Sequence, residues 1–160
     1  MVMKTLILGI AATLLGAVGA VASAADPPRA DLLHQLEGRA DVHQEMIGRE
    51  PTGLFQCAIR VLGRDGRTLY AWLRCGDFRT GPRAEERSGS SLPAVVRLDR
   101  DGDVAGVRFP RQQSLRADIQ RLFPPDLQER VLRGDIRTIP SQATLLHRAE
   151  DTAPRPPGAR

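Results

Sequence analysis

Two apolar alternations flank a turn in this chain: LFQCAIRVL over 54–62 and TLYAWLRC over 68–75, separated by GRDGR. A period of two sends successive side chains to opposite faces of a strand. Phe55, Cys57, Ile59 and Val61 therefore share one face, and Leu69, Ala71, Leu73 and Cys75 share another. A one-residue slip in pairing would turn one of these sets to solvent. The hairpin that gives both sets a common core, closed by a loop with an odd number of residues, puts Cys57 directly opposite Cys75 and Arg60 opposite Trp72. Apolar pattern and cysteine positions thus choose the same register independently. A direct cross-strand disulfide tolerates little error in spacing, so no other feature restricts the fold as tightly.

A second hairpin is expected at PAVVRLDRDGDVAGVRF, 93–109. Ala94, Val96 and Leu98 form one inward set, and Ala105, Val107 and Phe109 the other. A two-residue Asp101-Gly102 turn brings them together and sets Val95 opposite Arg108; Asp-Gly suits such a turn because Gly accepts positive φ. Between the hairpins, GDFRTGPRAEERSGSS is polar, charged and glycine-rich, and reads as a loop. Upstream, Leu32, Leu36, Ala40, His43 and Ile47 recur every three or four residues, which predicts one amphipathic helix over about 29–47, ended by Gly48 and Pro51. Downstream, Ser114 is placed to cap a helix carrying Leu115, Ile119, Leu122 and Phe123. Pro124-Pro125 breaks it, and a second short helix runs to Arg133 before Gly134. From Asp135 the periodicity is lost, and 135–160 reads as a disordered Pro-rich tail. The fold class is α+β: an N-terminal helix, a four-stranded antiparallel sheet of two hairpins, and a C-terminal helical segment, all within one domain over 25–134.

The first 24 residues, MVMKTLILGIAATLLGAVGAVASA, carry a single charge at Lys4, a long apolar run and a small-residue end at Ala22-Ser23-Ala24. This is the pattern of an export signal cleaved after Ala24, so the expected location is periplasmic or extracellular, and the mature chain is not expected to span a membrane. An uncleaved anchor is the alternative for an apolar run of this length, and the small residues weigh against it. In an oxidising compartment an even pair of cysteines forms a disulfide, here Cys57 with Cys75. Two thiols without matching His or Cys spacing cannot complete a tetrahedral metal site, and no cofactor is called for. Lys4 is the sole lysine, so the side-chain cations after it are arginines and any charged histidine. Losing the leader takes the formal charge from +4 to +3. That mild, spread excess does not point to nucleic acid and does permit anionic partners.

YAWLRCGDF, GSSLPAVVRL, VRFPR and LRADIQRLFP follow one another between Tyr70 and Pro124. As a series they resemble a loose group of small exported bacterial proteins of unassigned function, with an aromatic strand, a Gly-Ser entry to a Pro-Val-Val strand, and a helix ending in Leu-Phe-Pro. The likeness covers about a third of the chain and implies no activity and no catalytic residue.

Several short motifs have plain explanations. DRDGD at 99–103 offers carboxylates at alternate positions, but a calcium loop of the EF-hand kind wants its Gly sixth and an acidic residue twelfth, whereas counting from Asp99 Gly102 is fourth and Pro110 twelfth; a hairpin turn accounts for the segment. Arg133-Gly134-Asp135 coincides with a predicted helix end. SGSS at 88–91 lacks a nucleophile elbow, and His34, His43 and His147 each lack a neighbouring acid or nucleophile in sequence. The expectation is a non-enzymatic domain with a binding or cell-envelope accessory role. A cystatin-like protease inhibitor, working through its hairpin tips, is the alternative from element order, and a small hydrolase a more distant one.

The sheet face opposite the predicted core carries Arg60, Tyr70, Trp72, Arg74, Arg97 and Arg108. Guanidinium groups and aromatic rings together make a surface for an anionic glycan, lipid or protein of the envelope. The competing reading covers Tyr70 and Trp72 with a helix or the long loop, arginine stems lying over them. It is favoured because a small domain poor in aromatics can seldom leave both exposed.

Overall fold

The computed structural model describes residues 30–80, 83–134, 137 and 139–152. The leader, residues 1–24, lies outside them. Helices α1 (Ala30–Glu37) and α2 (Ala40–Ile47) precede strands β1 (Leu54–Asp65), β2 (Thr68–Arg79), β3 (Glu85–Leu98) and β4 (Val104–Arg108); α3 (Leu115–Leu122), α4 (Pro125–Arg133) and α5 (Gln142–Thr152) follow. The strands form one antiparallel meander in the order β1-β2-β3-β4. The fold is α+β.

Alternation gives this sheet two apolar faces, and each has its own cover. Phe55, Cys57, Ile59, Leu69, Ala71, Leu73, Cys75, Ala94 and Val96 pack with Leu32, Leu33 and Leu36 of α1 and Val42 and Met46 of α2. On the other face Trp72 and Val95 meet Ile119 and Phe123 at α3 and Val131 of α4. Ala58 and Phe78 on that same face meet Leu145 and Ala149 of α5. The sheet is the middle layer of three.

Cys57 pairs with Cys75 and Arg60 with Trp72, in the register the sequence requires. The cysteines form a disulfide across Cα atoms 4.1 Å apart. The turn differs from expectation. After Val61↔Ala71 the pairing shifts to Gly63↔Tyr70, leaving Leu62 as a bulge, and the hairpin closes through the two residues Gly66 and Arg67. The bulge absorbs the odd residue that the sequence assigns to the loop, and Gly66 supplies the positive φ of 53° that a tight turn demands. Gly63 follows the bulge and lies close to α4: a Cβ there would stand 2.9 Å from Leu127 Cδ1.

In the second hairpin Val95↔Arg108 and Val96↔Val107 pair as expected, but Leu98 pairs with Val104 and Ala105 is left over. The two-residue Asp101-Gly102 turn is therefore replaced by a longer loop, with Asp99 N–H donating to Asp103 O at 2.9 Å. The cause is the Asp99 carboxylate, whose Oδ1 accepts the N–H groups of Asp101 and Asp103 at 2.9 and 3.0 Å. Val104 consequently packs against the core in place of Ala105, which is exposed.

Three further expectations need correction. The single helix over 29–47 is two helices, because Arg39 is extended (φ −95°, ψ 125°) after Gly38; its guanidinium pairs with Asp41 and donates to Val104 O. Gly48 ends α2 at φ 72°, as read from the sequence. The presumed loop at 76–91 is mostly strand. β2 continues to Arg79 and β3 begins at Glu85, with Gly76 opposite Gly89 and Asp77 and Phe78 fully buried. A Cβ on Gly89 would come within 2.7 Å of Cys75 O, so the glycine permits close pairing here. Finally, within 135–160, read as a disordered tail, residues 142–152 form α5, whose Leu145 and Ala149 are fully buried on the sheet. Residues 153–160 lie outside the described set.

Two predictions follow from this packing. Replacing both cysteines by alanine should lower stability by about 3 kcal/mol in the chain-entropy account of a loop this long, read as a shift in the denaturant midpoint between oxidised wild type and variant. Leu145→Ala should cost about 2–5 kcal/mol in the same titration, as expected of a buried leucine; an unchanged midpoint would return residues 142–152 to the status of a tail.

Candidate functional site

The aromatic and arginine face is brought together by the register and then largely roofed. Trp72 is 7% exposed and its Nε1 donates to Ser91 Oγ at 2.8 Å. Tyr70 is half-buried, its ring 5.8 Å from that of Phe123. Arg74 pairs with Glu86 at 3.5 Å beneath α5. Arg60, Arg97 and Arg108 are exposed. As one open surface of rings and guanidinium groups, this face is not presented: α3 and α4 cover its aromatic centre. The reason is the one that favoured burial in the sequence, since Trp72 and Tyr70 are two of very few aromatic side chains in the chain.

Arg60 lines a cavity. Ala58, Ile59 and Arg60 of β1 form one wall, and Arg137, Ile139, Pro140, Ser141 and Thr144, leading into α5, form the other, enclosing about 440 Å³. The apolar part of the lining includes Ala58, Ile139 and Pro140. Among the described residues the polar lining consists of two arginines and two hydroxyls, with no carboxylate. Ser141 is the N-terminal cap of α5, its Oγ accepting the Thr144 N–H at 3.1 Å and lying 2.8 Å from Thr144 Oγ1. Half of this site was missed in the sequence because it lies past Gly134. The available signal was a serine four residues before Leu145 and eight before Ala149: a cap followed by a short helical stripe.

Three carboxylates elsewhere are structural. Asp77, fully buried on β2, accepts from Thr52 N–H, Thr52 Oγ1, Gly53 N–H and Arg49 Nη2, fastening the segment between α2 and β1. Burial alone would raise its pKa, but these donors outweigh burial and hold it below the usual carboxylate range. Asp118 of α3 is held far below that range by the Arg111 guanidinium, then by Arg111 N–H and Ser114 Oγ, with Arg121 adding a fourth donor group. Ser114 thus binds Asp118 instead of capping the helix backbone. Glu37, at the end of α1, is pushed up by burial, against the lowering effect of Cys57 N–H and Arg148.

The remaining motifs are accounted for locally. His34 and His147 are exposed, the latter 3.5 Å from Asp151. His43 is buried, its Nε2 2.7 Å from Glu37 O, its Nδ1 3.0 Å from Glu50 Oε2, and its ring edge-on to Phe55. Gly134 ends α4 at φ 57°, while Asp135 lies outside the described residues. The tips of the two hairpins lie side by side, Leu98 N–H donating to Arg67 O at 2.8 Å. No family model matches the chain, and no curated protein or solved structure is similar to it.

The depressed carboxylates set the sign of the acid response. Asp77 and Asp118 contribute stability that is present above their unfolded pKa of 3.8 and is lost as pH falls through their lower folded values. Glu37 acts oppositely, favouring the folded state as it protonates. Denaturant midpoints measured from about pH 5 down to about pH 2 should show Asp77→Asn and Asp118→Asn losing their deficit against wild type toward the acid end. A deficit that stays constant with pH would show that ionisation is not the source.

Proposed function

We propose that this chain is an exported, non-enzymatic binding domain whose partner is anionic, and that the cavity beside Arg60 is where the partner docks. The observation that carries the reading is the cavity's composition: the exposed guanidinium of Arg60 stands beside two hydroxyls and the apolar side chains of Ala58, Ile139 and Pro140, with no acidic residue among the described lining. Arginine suits this role because its planar fork pairs with carboxylate, sulfate or phosphate oxygens in a fixed geometry. An anionic glycan, lipid or protein of the cell envelope is the corresponding partner class, acting in a periplasm or outside the cell.

Export is supported by the leader pattern of residues 1–24, by the buried Cys57–Cys75 disulfide, and by the resemblance of the 70–124 series to small exported bacterial proteins. No helix among the described residues is long and apolar enough to cross a membrane. A non-catalytic role is supported by where the carboxylates with shifted pKa values sit: Asp77, Asp118 and Glu37 are each engaged in holding one element to another. The protease-inhibitor alternative has one point in its favour, the adjacent hairpin tips, though Asp65, Arg67, Asp99, Arg100, Asp101 and Asp103 make those tips strongly charged. Stoichiometric loss of a protease's activity on mixing would establish that alternative.

Trp72 pairs directly across from Arg60 and is the sole tryptophan, so its emission reports on this wall. Titration with heparin oligosaccharides, phosphatidylglycerol vesicles and acidic peptides at low and high salt should change that emission for at least one anionic probe. The response should weaken with salt and fall tenfold or more in apparent affinity in Arg60→Ala. Binding that ignores both salt and Arg60 would place the partner elsewhere.

A further inference from the structure

The cavity beside Arg60 also borders the unpaired edge of the sheet. Among the described residues β1 has a partner on one side only. Cys57 and Cys75, with Cα atoms 4.1 Å apart, form a pair that does not exchange ladder hydrogen bonds, so the N–H and C=O of Cys57 point away from β2. The Cys57 N–H is accordingly taken from outside, by Glu37 Oε1 at 2.8 Å, and Arg148 Nη2 donates to that same oxygen at 2.8 Å. Two residues on, Ile59↔Leu73 is the next pair of the same kind, so Ile59 also turns its N–H and C=O outward. No other described residue takes them up. The Ile59 side chain is buried in the core beside α1 and α2, so what Ile59 contributes to the cavity wall is main chain.

Resting on the anionic-partner reading, we infer that the occupant of this cavity is the C-terminal end of an extended peptide, added along β1 with its terminal carboxylate on Arg60. One peptide residue lies against Ile59, giving a C=O to its N–H and an N–H to its C=O, as in strand addition. The next residue lies about 3.3 Å further along, beside Arg60, where a free carboxylate meets the guanidinium. The apolar lining of Ala58, Ile139 and Pro140 receives the last side chain. About 440 Å³ suits a few residues of chain end. An inorganic anion would use Arg60 and leave both the apolar lining and the Ile59 main chain idle.

The test uses the full exported chain, labelled for amide detection by NMR, and a randomised N-acetyl tetrapeptide pool in three forms: free acid, C-terminal amide, and free acid N-methylated at its internal amides. Inorganic phosphate is the fourth probe. The free-acid pool should shift the Ile59 and Arg60 amides and slow Ile59 hydrogen exchange. Amidation, N-methylation and Arg60→Ala should each weaken that response tenfold or more. Phosphate that perturbs Arg60 while the free-acid and amide pools behave alike would overturn the peptide inference and leave the anionic reading standing. No response at Arg60 to any probe, phosphate included, would overturn both.

Discussion

The pairing of Cys57 with Cys75 is the constraint on which the rest of the structure depends. It fixes β1 against β2 at a point where a slip of one residue would exchange the two faces of a strand. Everything laid on the sheet then follows. Phe55, Ile59, Leu69 and Leu73 must be covered by one helical layer, and Trp72, Ala58 and Phe78 by another. The disulfide itself is fully buried, so it stabilises the interior of the hairpin and is shielded from thiols in solution.

A meander buried on both faces has little exposed sheet left for recognition. Among the described residues, α3 and α4 close the region of Trp72, and α5 closes the region of Phe78. What remains is the rim of β1, the edge strand of the described sheet. Glu37 seals part of that rim by joining α1, the Cys57 main chain and Arg148 of α5 around the strand edge. Such a seal also protects an edge strand from pairing with another chain. Just past it, no described residue takes up the outward N–H and C=O of Ile59, beside the cavity at Arg60. Stability and recognition therefore use neighbouring stretches of the same strand.

Much of this was legible in the sequence, and the parts that were not have identifiable causes. Alternation and two cysteines carried the β1–β2 register, and the Pro124-Pro125 and Gly134 signals carried α3 and α4. The turns were read less well because bulges at Leu62 and Ala105 change loop length without disturbing the pairs beyond them. The strand ends at 76–79 and 85–91 were hidden by polar composition: Asp77 and Glu86 look like loop residues until their partners Thr52, Gly53, Arg74 and Gln142 are known. The break at Arg39 depends on Asp41 and Val104, and the latter is distant in sequence. α5 is hard to read because a short helix ahead of a proline-rich end gives a weak period, and its stability comes from the sheet it covers. Of the candidate site, Arg60 was found from strand parity, while Pro140, Ser141 and Thr144 could not be joined to it without α5.

Residue-resolved amide hydrogen exchange on the oxidised, unliganded chain tests this account most directly. The Ala58 and Arg60 amides, bonded into β2, should exchange slowly; Cys57 should also be protected, through Glu37; and Ile59, flanked by protected neighbours, should exchange fast. One fast amide among three protected ones would establish both the register and the open edge beside Arg60. An Ile59 amide as protected as those of Ala58 and Arg60 would contradict it, since the edge would then already be occupied and the proposed docking strand would not exist.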